Sequence, residues 1–210
     1  MIRILLVDDH PVVRQGIRTI IMDRLKGAVV GEASNAEAAL RQVANGGWDI
    51  VVADISLPGS SGLDLIKDLH RLHPTVPTLV LSMHPAAQFA RRALSAGAAG
   101  YLTKASPPEE LIAAIEDARR GRRYVGKDAG DVLLRWAAKT VTTPHEALSD
   151  REYQVLRMVG SGNTVSDIAR DLGLSVKTIS TYRARVLEKL GMRTNAELMR
   201  YAIENSLLDS

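Results

Sequence analysis

Three carboxylates, a lysine and a serine carry the strongest chemical signal in the sequence. Asp8 and Asp9 follow the apolar run 2–7, and Asp54 follows Ile50–Ala53. Ser82 closes the run Thr78–Ser82, and Lys104 closes Gly100–Lys104. Runs this short and this apolar read as strands buried on both faces of a parallel sheet. In open α/β sheets the working site lies outside the carboxyl ends of the strands, so all five side chains fall on one edge. Acids packed together repel unless a cation joins them. Oxygen ligands without cysteine or histidine call for a hard ion, Mg²⁺ first and Mn²⁺ next. A metal held by carboxylates is half of a phosphoryl-transfer site. Lys104 supplies a second cation for phosphoryl oxygens, and Ser82 supplies a hydroxyl donor. Asp54 stands alone on the central strand and is the best nucleophile, since aspartyl phosphates are known covalent intermediates. Taken singly, each residue has a plainer explanation, as a turn acid, a loop serine or a surface lysine. The signal is their convergence from four strand ends.

The elements that must position these groups alternate regularly. Strands are expected at 2–7, 28–31, 50–53, 78–82 and 100–104. Helices are expected at 12–22, 35–43, 63–70, 85–96 and 109–120. Ser34 with Glu37 reads as a capping box for the second helix. The repeated β-α order predicts a flavodoxin-like, doubly wound, five-stranded parallel sheet with strand order 2-1-3-4-5. The texture changes at the charge run Arg119–Arg123. Residues 1–122 are therefore one domain, 123–145 a linker with a helix over Asp128–Ala138, and 146–210 a second domain.

That second domain contains helical patterns and no strand candidate. Ser149 with Glu152, Thr164 with Asp167 and Thr194 with Glu197 read as helix starts. Leu172-Gly173-Leu174 is a tight turn of the kind that joins helix-turn-helix units. The helix after it, Val176–Leu190, puts Val176, Ile179, Val186, Leu187 and Leu190 on one apolar stripe. Its opposite face carries Lys177, Thr181, Ala184, Arg185 and Glu188. A helix of this kind docks its stripe on a scaffold and offers the other face to the major groove. Lys177, Thr181, Ala184 and Arg185 are candidates for base edges. Thr178, Ser180, Tyr182 and Lys189 are candidates for phosphates, which position without specifying. Arg183 interrupts the stripe. An unpaired buried charge is costly, so a partner is expected, with Glu152 the first choice.

Two resemblances follow from these motifs. Val7-Asp8-Asp9-His10, Ala53-Asp54 with Pro58-Gly59 and Gly62, Leu81-Ser82 and Tyr101-Leu-Thr-Lys104 resemble the receiver domain of two-component response regulators, over about residues 1–122. The resemblance implies a phosphoacceptor at Asp54, charged by a sensor histidine kinase. It implies Mg²⁺ or Mn²⁺ on Asp8, Asp9, Asp54 and the Ser56 backbone carbonyl, with Ser82 as switch hydroxyl, Tyr101 as switch aromatic and Lys104 paired with the phosphoryl group. Leu148-Ser-Asp-Arg-Glu152, Asp167-Ile-Ala169, Leu172-Gly-Leu174, Ser175–Ile179 and Leu187–Gly191 resemble the LuxR-type helix-turn-helix of the NarL/FixJ class, over about residues 146–205. That resemblance implies promoter DNA, bound as a homodimer on paired half-sites, and transcription regulation rather than an enzyme. Ser82 stands where many receivers carry Thr. Ala105 stands where many carry Pro, so no cis peptide is expected at that joint.

The whole chain agrees with this reading. It has 210 residues, no cysteine and a formal net charge of +3. Disulfides and thiolate metal sites are excluded, and no run is long enough to span a bilayer. A soluble, cytoplasmic protein without a membrane partner is expected. A carboxylate- and Mg²⁺-dependent phosphohydrolase is the competing reading. Enzymes of the haloacid-dehalogenase type place a second acid two residues beyond the nucleophile, and here that position is Ser56. A phosphorylation-independent regulator with a vestigial receiver is a third reading, and the intact Asp54, Ser82 and Lys104 argue against it.

Overall fold

A computed structural model of the chain describes residues 1–59, 61–126 and 143–208. The chain divides into two units, Met1–Ala137 and Ala138–Ser210. Among the described residues no helix is long and apolar enough to cross a membrane, and no peptide bond is cis.

The first unit alternates β1 (Arg3–Val7), α1 (Pro11–Arg24), β2 (Val29–Ala33), α2 (Ala36–Ala44), β3 (Ile50–Ala53), α3 (Gly62–Leu72), β4 (Thr78–Ser82), α4 (Ala86–Ser95), β5 (Gly100–Thr103) and α5 (Pro108–Arg119). A short β6 (Tyr124–Val125) follows. The sheet order is β2-β1-β3-β4-β5-β6, and every pairing is parallel. The five expected strands take the expected order. The sixth is a correction: it lies in the segment read as linker from residue 123. Two residues carry too little periodicity to register as a strand. Gly100 admits it, since a Cβ there would stand 2.4 Å from the Tyr124 carbonyl oxygen. The linker helix expected over Asp128–Ala138 falls outside the described residues.

The alternation within β1 explains the layers. Ile4 and Leu6 point to one face, where Ile21 of α1 and Leu111, Ala114 and Ile115 of α5 cover them. Leu5 and Val7 point to the other, where Ala39 and Val43 of α2 and Leu65 and Leu69 of α3 do so. Both faces are sealed, which is why these strands read as continuous apolar runs. Register then brings the working ends level. Val7 pairs with Ala53, Ala53 with Val80, and Ser82 with Thr103. One helix start differs from the sequence reading. Asn35, not Ser34, caps α2, its Oδ1 accepting the Ala38 N–H at 2.8 Å. Glu37 is thereby drawn into the first turn and pairs with Arg41 four residues on.

The second unit holds a 3₁₀ turn (Pro144–Ala147) and helices α6 (Asp150–Gly160), α7 (Val165–Asp171), α8 (Val176–Leu190) and α9 (Asn195–Glu204). All three capping boxes read from sequence are present, at Ser149/Glu152, Thr164/Asp167 and Thr194/Glu197. Ser175 caps α8. Gly191 ends it in the left-handed region at φ 67°, where glycine alone is unstrained. Leu156, Ile168, Ile179, Val186, Leu198 and Ala202 form the buried centre.

Candidate functional site

Asp8, Asp54 and Lys104 meet at the carboxyl edge of the sheet. The β1–β3 register sets the two acids side by side, and Lys104 follows β5 directly. Its Nζ donates to Asp8 Oδ2 and to Asp54 Oδ2, each at 2.6 Å. Both acids are buried, 3% and 4% exposed. Burial alone pulls the Lys104 ammonium toward neutrality. The charges of Asp54 and Asp8, with their hydrogen bonds, outweigh it and hold its pKa above the ordinary lysine value. The lysine is therefore a fixed cation. Backbone donors hold the remaining oxygens: the His10 N–H donates to Asp8 Oδ1 at 2.8 Å and the Ser56 N–H to Asp54 Oδ1 at 3.2 Å.

Asp9 Oδ1 lies 2.8 Å from His10 Nδ1 and, among the described residues, is buried without a hydrogen-bond donor. An orphaned carboxylate oxygen of this kind is costly unless something else binds it. Carboxylates of Asp8 and Asp9 and the His10 imidazole bring ligand atoms within 4.8 Å of one another. The two carboxylates suit a hard divalent cation, while the His10 imidazole departs from the oxygen-only set expected from sequence and Asp54 stands outside this group.

Ser82 and Tyr101 are both buried, and both are tied to His84. The His84 N–H donates to Ser82 Oγ at 3.3 Å, and the Tyr101 hydroxyl donates to the His84 carbonyl at 2.7 Å. His84 Nε2 lies 3.0 Å from Ser56 Oγ, and its ring stacks on Phe89 at 4.8 Å. One residue thus joins the loop after Asp54 to both Ser82 and Tyr101. Sequence reading missed it. The available signal was positional, since His84 lies two residues past β4 on the same edge. Arg14 was missed as well. It donates to the Asp8 carbonyl at 2.7 Å and pairs with Glu32 at 2.6 Å, which ties α1 and β2 to the acidic loop.

In the second unit, α8 presents Lys177, Ser180, Thr181, Ala184 and Arg185 to solvent. Thr181 Oγ1 donates back to the Lys177 carbonyl at 3.0 Å, which turns its methyl outward. Thr178 and Tyr182 are half-buried. Three expectations need correction. Val176 is 51% exposed, because the first turn of α8 overhangs its scaffold and the stripe is centred on Ile179 and Val186. Lys189 faces the scaffold, with Nζ 2.6 Å from Glu152 Oε2 and 3.5 Å from the Ala147 carbonyl. Glu152 also accepts the Ser149 N–H at 2.7 Å. With Glu152 so occupied, Arg183 pairs instead with Asn195, its Nε donating to Oδ1.

The Glu152 contact has a pH signature. Burial pushes its carboxyl up, but the Lys189 ammonium and Ser149 hydrogen bonds outweigh this and leave the pKa below the usual value. A depressed carboxyl pKa contributes stability above its unfolded value, about 4.3, that is lost as pH falls through the folded value. Glu152→Gln removes this term. The melting-temperature gap between wild type and Glu152→Gln is expected to narrow as pH falls from 6 through about 4. A gap constant across that range would refute the pairing as a source of stability.

Comparison with known proteins gives both units a family. Residues 4–116 match the family model "Response regulator receiver domain". Residues 146–202 match "Bacterial regulatory proteins, luxR family". Response regulator UvrY of Escherichia coli (strain K12) is 37% identical over 213 residues, covering 100% of this chain and 97% of that protein. Response regulator GacA of Pseudomonas aeruginosa is 34% identical over 212 residues, covering 100% and 99%. The structure of RcsB from Salmonella enterica serovar Typhimurium, bound to promoter P1flhDC in the presence of the phosphomimetic BeF3⁻, aligns with a TM-score of 0.60 at 27% identity, covering 95% of this chain and 97% of that one. With both models matched in one chain and relatives of this identity along all of it, the chain belongs to the NarL/FixJ class of response regulators, DNA-binding transcription regulators that join a receiver domain to a LuxR-type helix-turn-helix.

Proposed function

We propose that this response regulator accepts a phosphoryl group on Asp54 from a sensor histidine kinase, and that the phosphorylated chain pairs on promoter DNA through α8. The observation that carries this reading is the single ammonium of Lys104, 2.6 Å from carboxylates of two different strand ends. Asp8, Asp9, Asp54 and the Ser56 carbonyl would hold Mg²⁺ or Mn²⁺, which when bound neutralises charge on the phosphoryl oxygens. A carboxylate oxygen of Asp54 attacks phosphorus as the P–N bond of the donor phosphohistidine breaks, and the leaving imidazole takes up a proton. Lys104 exchanges a carboxylate partner for a phosphoryl oxygen. Ser82 turns its hydroxyl to another, leaving the His84 N–H. That movement is the differential contact a two-state switch requires, and Tyr101 feels it through the His84 carbonyl. The chain works stoichiometrically, one phosphoryl group to one Asp54, and water returns it to the resting state.

The phosphoacceptor belongs to the first unit and DNA recognition to the second, within the cytoplasm. On α8, Lys177, Thr181, Ala184 and Arg185 read base edges, while Thr178, Ser180 and Tyr182 serve phosphates. Lys189 is reassigned to the scaffold. Two chains aligned on paired half-sites give the homodimer. The phosphohydrolase alternative loses ground, because Ser56, where it needs a second acid, is engaged with His84.

Asp54→Asn tests the reading. With acetyl phosphate or a cognate kinase, the variant is expected to incorporate no phosphate and to show no phosphorylation-enhanced binding to a duplex selected in vitro by the wild-type chain. Incorporation at the wild-type level would overturn it.

A further inference from the structure

We propose that Arg119 and Arg123, at the foot of the receiver, contact the phosphate backbone of the duplex flanking the site read by α8. The run Arg119-Arg120-Gly121-Arg122-Arg123 takes no part in the phosphoacceptor, yet all four arginines are exposed. Two have acidic partners on their own helix: Arg120 pairs with Glu116 at 3.5 Å, and Arg122 pairs with Asp117. Arginines at a helix C-terminus that complement the dipole and nearby acids need no further explanation. Arg119, in the last turn of α5, complements the dipole but has no acidic partner among the described residues, and Arg123 lies beyond the helix. Neither side chain has an ion pair or hydrogen bond among the described residues. Gly121 turns the chain back at φ 72°, which sets the two free guanidinium groups on either side of the turn.

The location suits a DNA contact. Tyr124 pairs with Gly100, where β5 begins, so the run lies at the amino edge of the sheet. Asp54 and Lys104 lie at the carboxyl edge. The arginines therefore stand clear of the phosphoacceptor, and a contact there leaves phosphorylation unobstructed. Duplex DNA is the strongest polyanion that this chain meets as a DNA-binding regulator. The inference rests on that reading. Residues 127–142 extend at most about 3.6 Å each, a span on the order of one to two turns of duplex. Once α8 has engaged, the receiver is held near flanking DNA at high effective concentration. Guanidinium groups without acidic partners exchange only counterions for phosphates, which is the favourable term in such contacts. No base edge is reached, so the contact adds affinity and salt dependence without changing sequence preference.

The test compares the full-length chain with Arg119→Gln/Arg123→Gln and with Arg119→Lys/Arg123→Lys. Affinity is measured against salt on two probes: the selected duplex trimmed to its half-sites, and the same duplex with ~15 base pairs added on each side, about a turn and a half. For each chain bound, the wild-type slope of log K against log salt is expected to be steeper on the longer probe by about 1.8, from two phosphates at ~0.9 each. The Gln variant loses that increment, the Lys variant keeps it, and all three take up phosphate alike. Equal wild-type slopes on the two probes overturn the proposal. So does a Gln variant weakened equally on both, which would place the effect in assembly rather than on flanking DNA. A wild-type chain that binds neither probe sinks the DNA-binding reading together with this one.

Discussion

Gly62→Ala is expected to lower the melting temperature of the first unit by more than any other single methyl group added near the site. A Cβ at Gly62 would stand 2.1 Å from the Asp54 carbonyl oxygen, 2.6 Å from Ile55 Cα and 2.9 Å from the Asp54 carbonyl carbon. All three are backbone atoms, so no flexible side chain can swing away. The Gly62 N–H donates to the Ile55 carbonyl at 2.9 Å, and this bond closes the loop from β3 into α3. To admit the methyl group, either the start of α3 retreats, breaking that bond and the Ser61 cap, or the Asp54 loop shifts and drags the carboxylate away from Lys104. Overpacking that moves backbone costs about 3 kcal/mol or more. For a unit of this size that is a fall in melting temperature of roughly 10–15 °C. Phosphate uptake falls with it. Gly16→Ala is the control. It lies inside α1 with nothing within 4 Å of the added Cβ, so it is expected to gain about 0.5–1 kcal/mol. Thermal melts of the two variants side by side check the argument. A Gly62→Ala melt unchanged from wild type would mean the loop is not constrained as described.

What sequence alone revealed and what it hid divide along physical lines. The strand ends were legible because burial on both faces leaves unbroken apolar runs, and because acids, serine and lysine terminate those runs sharply. The caps at Ser149, Thr164 and Thr194 were legible because a capping box is a local pattern of two residues. The same rule misplaced the start of α2, where Ser34 and Asn35 are both good caps and backbone geometry chose the second. The pairing of Arg183 was illegible for a different reason. Helical spacing shows that a charge falls on the stripe. Which distant side chain meets it depends on how α6, α8 and α9 cross. Lys189 is 2.6 Å from Glu152, so the acid expected to serve Arg183 was already taken.

His84 shows the same limit at the acidic site. Nothing in its sequence context distinguishes it from a loop histidine. Its importance comes from four contacts, each made to a different element: Ser56 after β3, Ser82 on β4, Phe89 on α4 and Tyr101 on β5. The five chemical groups could be collected from strand ends because a parallel sheet aligns those ends. The residue that couples them could only be seen once the loops were in place.

Lys104→Met is expected to destabilise the first unit by about 3–5 kcal/mol at neutral pH in buffer without divalent ions, the usual cost of leaving a buried charge without its partner. Asp8 and Asp54 then face each other with no ammonium between them, and methionine fills the space of the lysine stem without its charge. A divalent cation should restore stability. Millimolar Mg²⁺ should raise the melting temperature of the variant more than that of wild type, because a cation bound only to the folded state stabilises it by mass action. The wild type has a signature at alkaline pH. A lysine pKa raised on folding contributes stability in full below the unfolded value, about 10.4, and that stability is lost as pH rises through the folded value. The direction of the Lys104 shift therefore predicts an alkaline loss of stability in wild type that Lys104→Met lacks. Chemical denaturation at pH 5, 7 and about 11, with and without Mg²⁺, reads all of these terms. If Lys104→Met is as stable as wild type at neutral pH without metal, the lysine is not what reconciles the two acids.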